Sequence, residues 1–228
     1  MSELHVSEQW QEPLAAAGLE SFGAMMASTR GECFSRHTRG QTYRLVLGGG
    51  EAVFLKRDCY TTVKDIAADL LCLRRPQPPC VIEARAIGLV SGLGIPAADV
   101  IAWGQRRKAG LPWHAVLLTR ELAGVPLHQF LKADPPPQRR REAIAAAAKV
   151  AGRLFRARLS WRDMRPKHFL LDGESVGVID LARLRPSRLP GRLYVPKQLR
   201  RFCAALRECS GDEGDVKAFL EAVEREMG

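Results

Sequence analysis

The chain of 228 residues is short of several things, and each shortage closes off a class of function. No stretch approaches the roughly 20 consecutive apolar residues that cross a bilayer. Residues 1–11 carry acidic and polar side chains where an export signal has a basic and then an apolar run, so the protein is expected in the cytosol. The six cysteines, at 33, 59, 72, 80, 203 and 209, include no pair at the spacing of a zinc knuckle and read as buried or free thiols in a reducing compartment. Nothing recurs with the period of a repeat array. Aromatic residues make up only 7%, and few lie among the basic ones, so the stacking platforms of a single-strand nucleic-acid binder are missing and no nucleic acid is expected. Acid is scarce relative to base. With 35 Lys and Arg against 25 Asp and Glu, the net charge of +10 draws in polyanions (nucleotides, phosphorylated sugars, acidic headgroups) without choosing among them.

What is present is a 46% apolar chain, long enough for one large domain or two small lobes in contact. Its most informative stretch runs from Leu159 to Arg185. There Asp163 follows an arginine, His168 to Leu171 form an apolar run, Asp172-Gly173 marks a turn, and Val176 to Ile179 form a second run ending on Asp180. This is the pattern of a β-hairpin with a carboxylate at each outer end and His168 beside them. Such an arrangement suits one carboxylate that orients a hydroxyl nucleophile beside another that, with a neighbouring ligand, holds Mg2+ on a nucleotide. Each acid alone would pass for a turn or cap residue.

Earlier in the chain, residues 1–30 suggest one or two short helices or an ordered tail. Strands are expected over Glu32–Arg36, Gln41–Leu47 and Glu51–Lys56, then Val100–Gly104 and Ala115–Arg120, with a basic loop from Gln105 to Leu111. Alternation points Val53 and Leu55 one way, and Phe54 and Lys56 the other. Helices are expected around Val63–Leu73 and over Val81–Leu93, on either side of a proline-rich break. A long helix from about Gln138 to Leu159 has an apolar stripe through Ile144, Ala147, Ala151 and Leu154, and two more helices span Val195–Glu208 and Asp215–Met227.

Arg162-Asp163, then His168-Phe169-Leu170-Leu171 five positions after the acid, then Val178-Ile179-Asp180-Leu181, resemble the catalytic loop and metal-binding aspartate of kinases in the variant used by the lipopolysaccharide core kinase family. Glu83-Ala84-Arg85-Ala86 and Leu93-Gly94-Ile95-Pro96 resemble further segments of that family, and the likeness covers most of the chain. It implies an α+β, bilobal, protein-kinase-like fold: an N-terminal helical extension (1–30), a small nucleotide-binding lobe with a five-stranded antiparallel sheet plus a helix (31–122), and a mostly helical catalytic lobe (123–228). The implied activity is ATP-dependent transfer of phosphate to a heptose or Kdo hydroxyl of the lipopolysaccharide inner core. Asp163 would be the base, and His168 and Asp180 would hold Mg2+. Lys56, paired with Glu83, would meet the α and β phosphates. The Thr38-Arg39-Gly40 turn would cradle phosphate, and Glu121 and Leu122 would meet adenine through their backbone. Arg162, Arg165, Lys167, Arg183 and Arg185 would receive an anionic acceptor, either core oligosaccharide or a lipid-linked precursor, with peripheral contact to an anionic membrane surface. Two positions depart from pattern. Trp161 stands where a kinase loop has His, and Gln198 where the family has an acid, so the motif does not say what braces the loop. Other readings are a phosphotransferase for aminoglycoside- or choline-like acceptors, which the basic segment would repel, and a non-catalytic kinase-like binding module.

Overall fold

The computed structural model describes residues 2–59, 61–71 and 73–228. Five cysteines are free thiols, and Cys72 lies outside the described residues. The chain divides into two compact units, one of residues 1–87 and 98–121, the other of residues 88–97 and 122–228.

In the first unit, β1 (Ser2–Val6), two short helices α1 (Gln11–Ala16) and α2 (Phe22–Ala27), and strands β2 (Glu32–His37), β3 (Gly40–Val46) and β4 (Ala52–Asp58) precede helix α3 (Val63–Leu71). Helix α4 (Pro79–Gly92), whose last five residues belong to the second unit, and strands β5 (Val100–Lys108) and β6 (Leu111–Arg120) follow. The sheet has six strands in the order β1-β5-β6-β4-β3-β2, each pair antiparallel, one more than the sequence suggests. The addition is β1, read as helix or tail because five half-exposed residues carry little periodicity. It seats closely on β5 because Gly104 has no side chain; a Cβ there would come within 2.5 Å of the Glu3 carbonyl. The expected basic loop at 105–111 is instead a tight hairpin. The strands run on to Lys108 and resume at Leu111, turning through Ala109 and Gly110, both at positive φ.

Alternation gives this sheet two apolar faces. Val53, Leu55, Ile101, Val116 and Leu118 pack with Leu14, Leu19, Phe22 and Met25 of the N-terminal segment, while Ala115 and Leu117 pack with Cys80, Val81 and Ala84 of α4. At about 1.5–3 kcal/mol for each large side chain buried, such a core is enough to order the N-terminal residues against the sheet. Arg57, on the first face, secures them further. It donates to the carbonyls of Met26 (2.6 Å) and Ser28 (2.7 Å) and lies over the Tyr43 ring.

The second unit holds β7 (Val125–Pro126), α5 (Leu127–Lys132), α6 (Pro137–Arg156), β8 (Leu159–Trp161), β9 (Phe169–Asp172), β10 (Ser175–Val178), β11 (Leu184–Pro186), α7 (Gly191–Ser210) and α8 (Glu213–Met227). The hairpin is β9–β10, joined by β7 in a three-stranded sheet. His168 ends a short 3-10 turn, Pro166–His168, before the strand begins. Helix α6 stops at Arg156, short of the expected Leu159, because Arg158 turns into the left-handed region and frees residues 159–161 to pair with β11. At the entry to β7, Gly124 sits at φ +132, where a Cβ would meet the Leu171 carbonyl at 2.9 Å. Fully buried Trp161, Phe169, Phe202 and Phe219 form a continuous aromatic column from β8 and β9 into α7 and α8, with neighbouring ring centroids 5.5, 5.3 and 4.3 Å apart.

Candidate active site

In the second unit, the 3-10 turn and the end of the hairpin bring Asp163, His168 and Asp180 together. His168 Nδ1 lies 2.9 Å from the Asp163 carbonyl oxygen, and Nε2 lies 3.3 Å from Asp180 Oδ2. A carbonyl can only accept, so the Nδ1 proton points to it. Burial pushes the imidazole below the ordinary histidine range, although Asp180's charge pulls the other way. When the ring is neutral, with its proton on Nδ1, the Nε2 lone pair and the Asp180 carboxylate are both ligands of the kind a divalent ion takes; when it is protonated, the two form an ion pair. Among the described residues no cluster of three metal-binding side chains occurs, so the remaining ligands would be phosphate oxygens and water.

Asp180 is itself at φ +59, a conformation that aspartate tolerates better than most residues but that still costs about 1 kcal/mol or more. Neighbours hold it there. Ile179 N–H donates to the His168 carbonyl at 3.0 Å, and Trp161 Nε1–H donates to the Asp180 carbonyl at 3.3 Å. Trp161 also stacks on His168, centroids 5.8 Å apart. Its own backbone N–H donates to Gln198 Oε1 at 2.8 Å, while Gln198 Nε2 donates to Ser160 Oγ at 2.7 Å. The loop is therefore braced through both departures from the motif: an indole takes up the Asp180 carbonyl, and a buried amide supplies an acceptor and a donor where an acid would supply acceptors alone.

The β8–β11 ladder sets Arg183 beside Asp163, with Nε 3.1 Å from Oδ2. Both groups are about half exposed, so the pair itself is weak. Arg165 turns instead to the Arg201 carbonyl (3.0 Å), and Arg201 donates to the Arg162 carbonyl (3.2 Å). Lys167 is exposed and Arg185 half-buried.

In the first unit, Lys56 Nζ and Glu83 Oε1 are 2.6 Å apart, with Glu83 buried. Thr38 and Arg39 form the exposed β2–β3 turn, and Gly40 opens β3. Glu121 has its carboxylate chelated by Arg44, at 3.0 and 2.7 Å, and its N–H donates to the Ala52 carbonyl. Its side chain and its amide are thus both engaged within the first unit. Leu122 falls in the second unit, close to Gly177. Sequence reasoning missed Asp58, which accepts the Cys80 N–H at 2.7 Å; its position two residues beyond Lys56 was the available signal.

A lysine–glutamate pair joining strand and helix in one unit, and an Asp-x-x-x-x-His loop with an aspartate after a hairpin in the other, are side chains of the kind a kinase-type phosphotransferase uses. The solved structure of WaaP in complex with acyl carrier protein shares this fold at a TM-score of 0.76 and 22% identity, over 98% of this chain and 89% of that one. The chain belongs to the lipopolysaccharide kinase (Kdo/WaaP) family, which matches residues 25–222. It is 31% identical over 205 residues to the lipopolysaccharide core heptose(I) kinase WaaP of Escherichia coli K12, covering 83% of this chain and 75% of that protein. To the protein of the same name in Pseudomonas aeruginosa it is 30% identical over 132 residues, 52% of this chain and 49% of the relative.

Proposed function

We propose that the protein transfers the γ-phosphate of ATP to a heptose or Kdo hydroxyl of the lipopolysaccharide inner core, with Asp163 orienting the hydroxyl and taking its proton. The observation that carries this reading is the single imidazole that links the two acids: His168 is fixed by the Asp163 carbonyl through one nitrogen and turned to the Asp180 carboxylate through the other. His168 and Asp180 would hold Mg2+, which when bound neutralises the charge of the phosphoryl oxygens. Lys56, steadied by Glu83, binds the α and β phosphates, and the backbone of the Thr38-Arg39-Gly40 turn covers them. The basic group of Arg162, Arg165, Lys167, Arg183 and Arg185 receives an acceptor bearing carboxylates or phosphates. Arg183 gives up its hold on Asp163 as the acceptor arrives. Little covalent chemistry falls to the protein; placement and charge lower the barrier.

The acceptor is core oligosaccharide or a lipid-linked precursor; a lipid-linked acceptor would bring the enzyme to the cytoplasmic face of the inner membrane. No described helix is long and apolar enough to cross one. Incubation of the pure protein with labelled ATP, Mg2+ and dephosphorylated core oligosaccharide, followed by mass spectrometry, tests the proposal. Label on a core sugar is expected; ATP turnover with no labelled sugar would refute the acceptor, and no use of ATP would refute the reading altogether.

A further inference from the structure

Strand β4 and helix α4 are joined at two places. Lys56 meets Glu83, and two residues further along the strand and three back along the helix Asp58 meets the start of the helix, its Oδ2 accepting the Cys80 N–H at 2.7 Å. On a strand, residues two apart share a face, and on a helix residues three apart do, so both links lie on the same side of both elements. The second link answers a deficiency in the helix. The first N–H groups of any helix lack internal acceptors, and a side chain just before the first turn normally supplies one. Here Pro78 and Pro79 occupy those positions. Pro78 offers only its carbonyl, which accepts from Val81 (3.1 Å) and Ile82 (3.2 Å), and neither proline has a side-chain oxygen. The cap that the helix cannot provide for itself comes from the neighbouring strand.

Resting on the kinase reading above, we infer that Asp58 is a positioning residue for ATP binding: by capping α4 from β4 it fixes the height of Glu83 against Lys56. The acceptor atom matters more than the charge. Asp58 is partly buried, and desolvation pushes its carboxyl's pKa up to about 6, with Glu83 adding to the rise and Cys80 and Lys56 opposing it.

The test compares Asp58→Asn, which keeps an acceptor, with Asp58→Ala, which removes it, each checked for a cooperative thermal transition. Asp58→Ala is expected to raise KM for ATP about five-fold or more, leaving KM for the sugar acceptor unchanged, and Asp58→Asn to stay within about two-fold of the parent. In a Glu83→Ala background the same alanine change should add little, because the link it acts through has gone. If Asp58→Ala does not fold, Asp58→Ser, whose hydroxyl is too short to reach Cys80, takes its place with the same expectation. A folded Ala or Ser variant with unchanged KM for ATP, or an equal effect with and without Glu83, overturns the inference. Lys56→Ala run alongside separates the two levels: if it leaves KM for ATP untouched, the kinase assignment of Lys56 fails first.

Discussion

Two residues in this molecule invite quantitative tests. Asp163→Asn keeps the shape of the loop, and the carbonyl that holds His168 belongs to the backbone, so metal and nucleotide binding should survive while proton acceptance is lost. Turnover should fall by about a hundred- to ten-thousand-fold. The stabilisation that ATP and Mg2+ give in a thermal melt should persist, since only ligand binding to the native state sets it. A variant that keeps full transfer would remove Asp163 from the mechanism. Asp58 makes a different prediction, about stability. Its folded pKa, raised to about 6 by burial, lies above that of an aspartate in the unfolded chain. Between those values the native state holds the proton more tightly, so this group's contribution is fully present below about pH 4 and is lost as pH rises through about 6. The rise from an ordinary aspartate value corresponds to about 3 kcal/mol at most. Urea midpoints measured from pH 4 to 8 should therefore fall less steeply with rising pH in Asp58→Asn than in the parent. An unchanged slope would mean that the carboxyl is better solvated than its surroundings suggest.

At the scale of elements, the catalytic loop depends on α7 for its backbone. Removing the Gln198 amide leaves the Trp161 N–H buried without a partner, which costs about 1–3 kcal/mol. Gln198→Ala should lower the unfolding free energy by that amount in a denaturant titration and reduce turnover as the Asp180 carbonyl loses its fixed neighbour; a neutral result would show that water replaces the amide. This link also shows what the sequence could and could not reveal. The hairpin and its two acids were legible because they lie within a few residues of one another, where turn chemistry and alternation act. Lys56 and Glu83 were legible because a strand end and a helix face each have a periodicity. The bond from Gln198 to Trp161 joins residues 37 apart and involves an amide, a group with no distinctive spacing. The β8–β11 ladder was hidden for a similar reason: three residues next to a long helix look like its last turn, and only pairing with a distant segment makes them a strand. The pairing of Glu121 with Arg44, far back in the chain, was hidden in the same way.

For the whole molecule, the excess of base over acid decides how it meets its substrates. Isolated surface ion pairs such as Arg183 with Asp163 are worth about 1 kcal/mol or less, so the exposed basic residues around Asp163 contribute little to stability. Their summed field is another matter. A net charge of +10 attracts anions over distances comparable to the Debye length, about 10 Å at 0.1 M salt and about 3 Å at 1 M. If the arginines around Asp163 receive an anionic acceptor, raising salt from about 0.05 to 0.5 M should increase KM for the core oligosaccharide several-fold and leave the turnover number at saturation nearly unchanged, because screening weakens encounter more than it alters groups already in contact. Charge-neutralising Arg185→Gln should flatten that dependence, since it removes one of the charges being screened. Equal salt sensitivity in this variant and the parent would mean that Arg185 belongs to an ordinary solvated face and that the acceptor approaches from elsewhere.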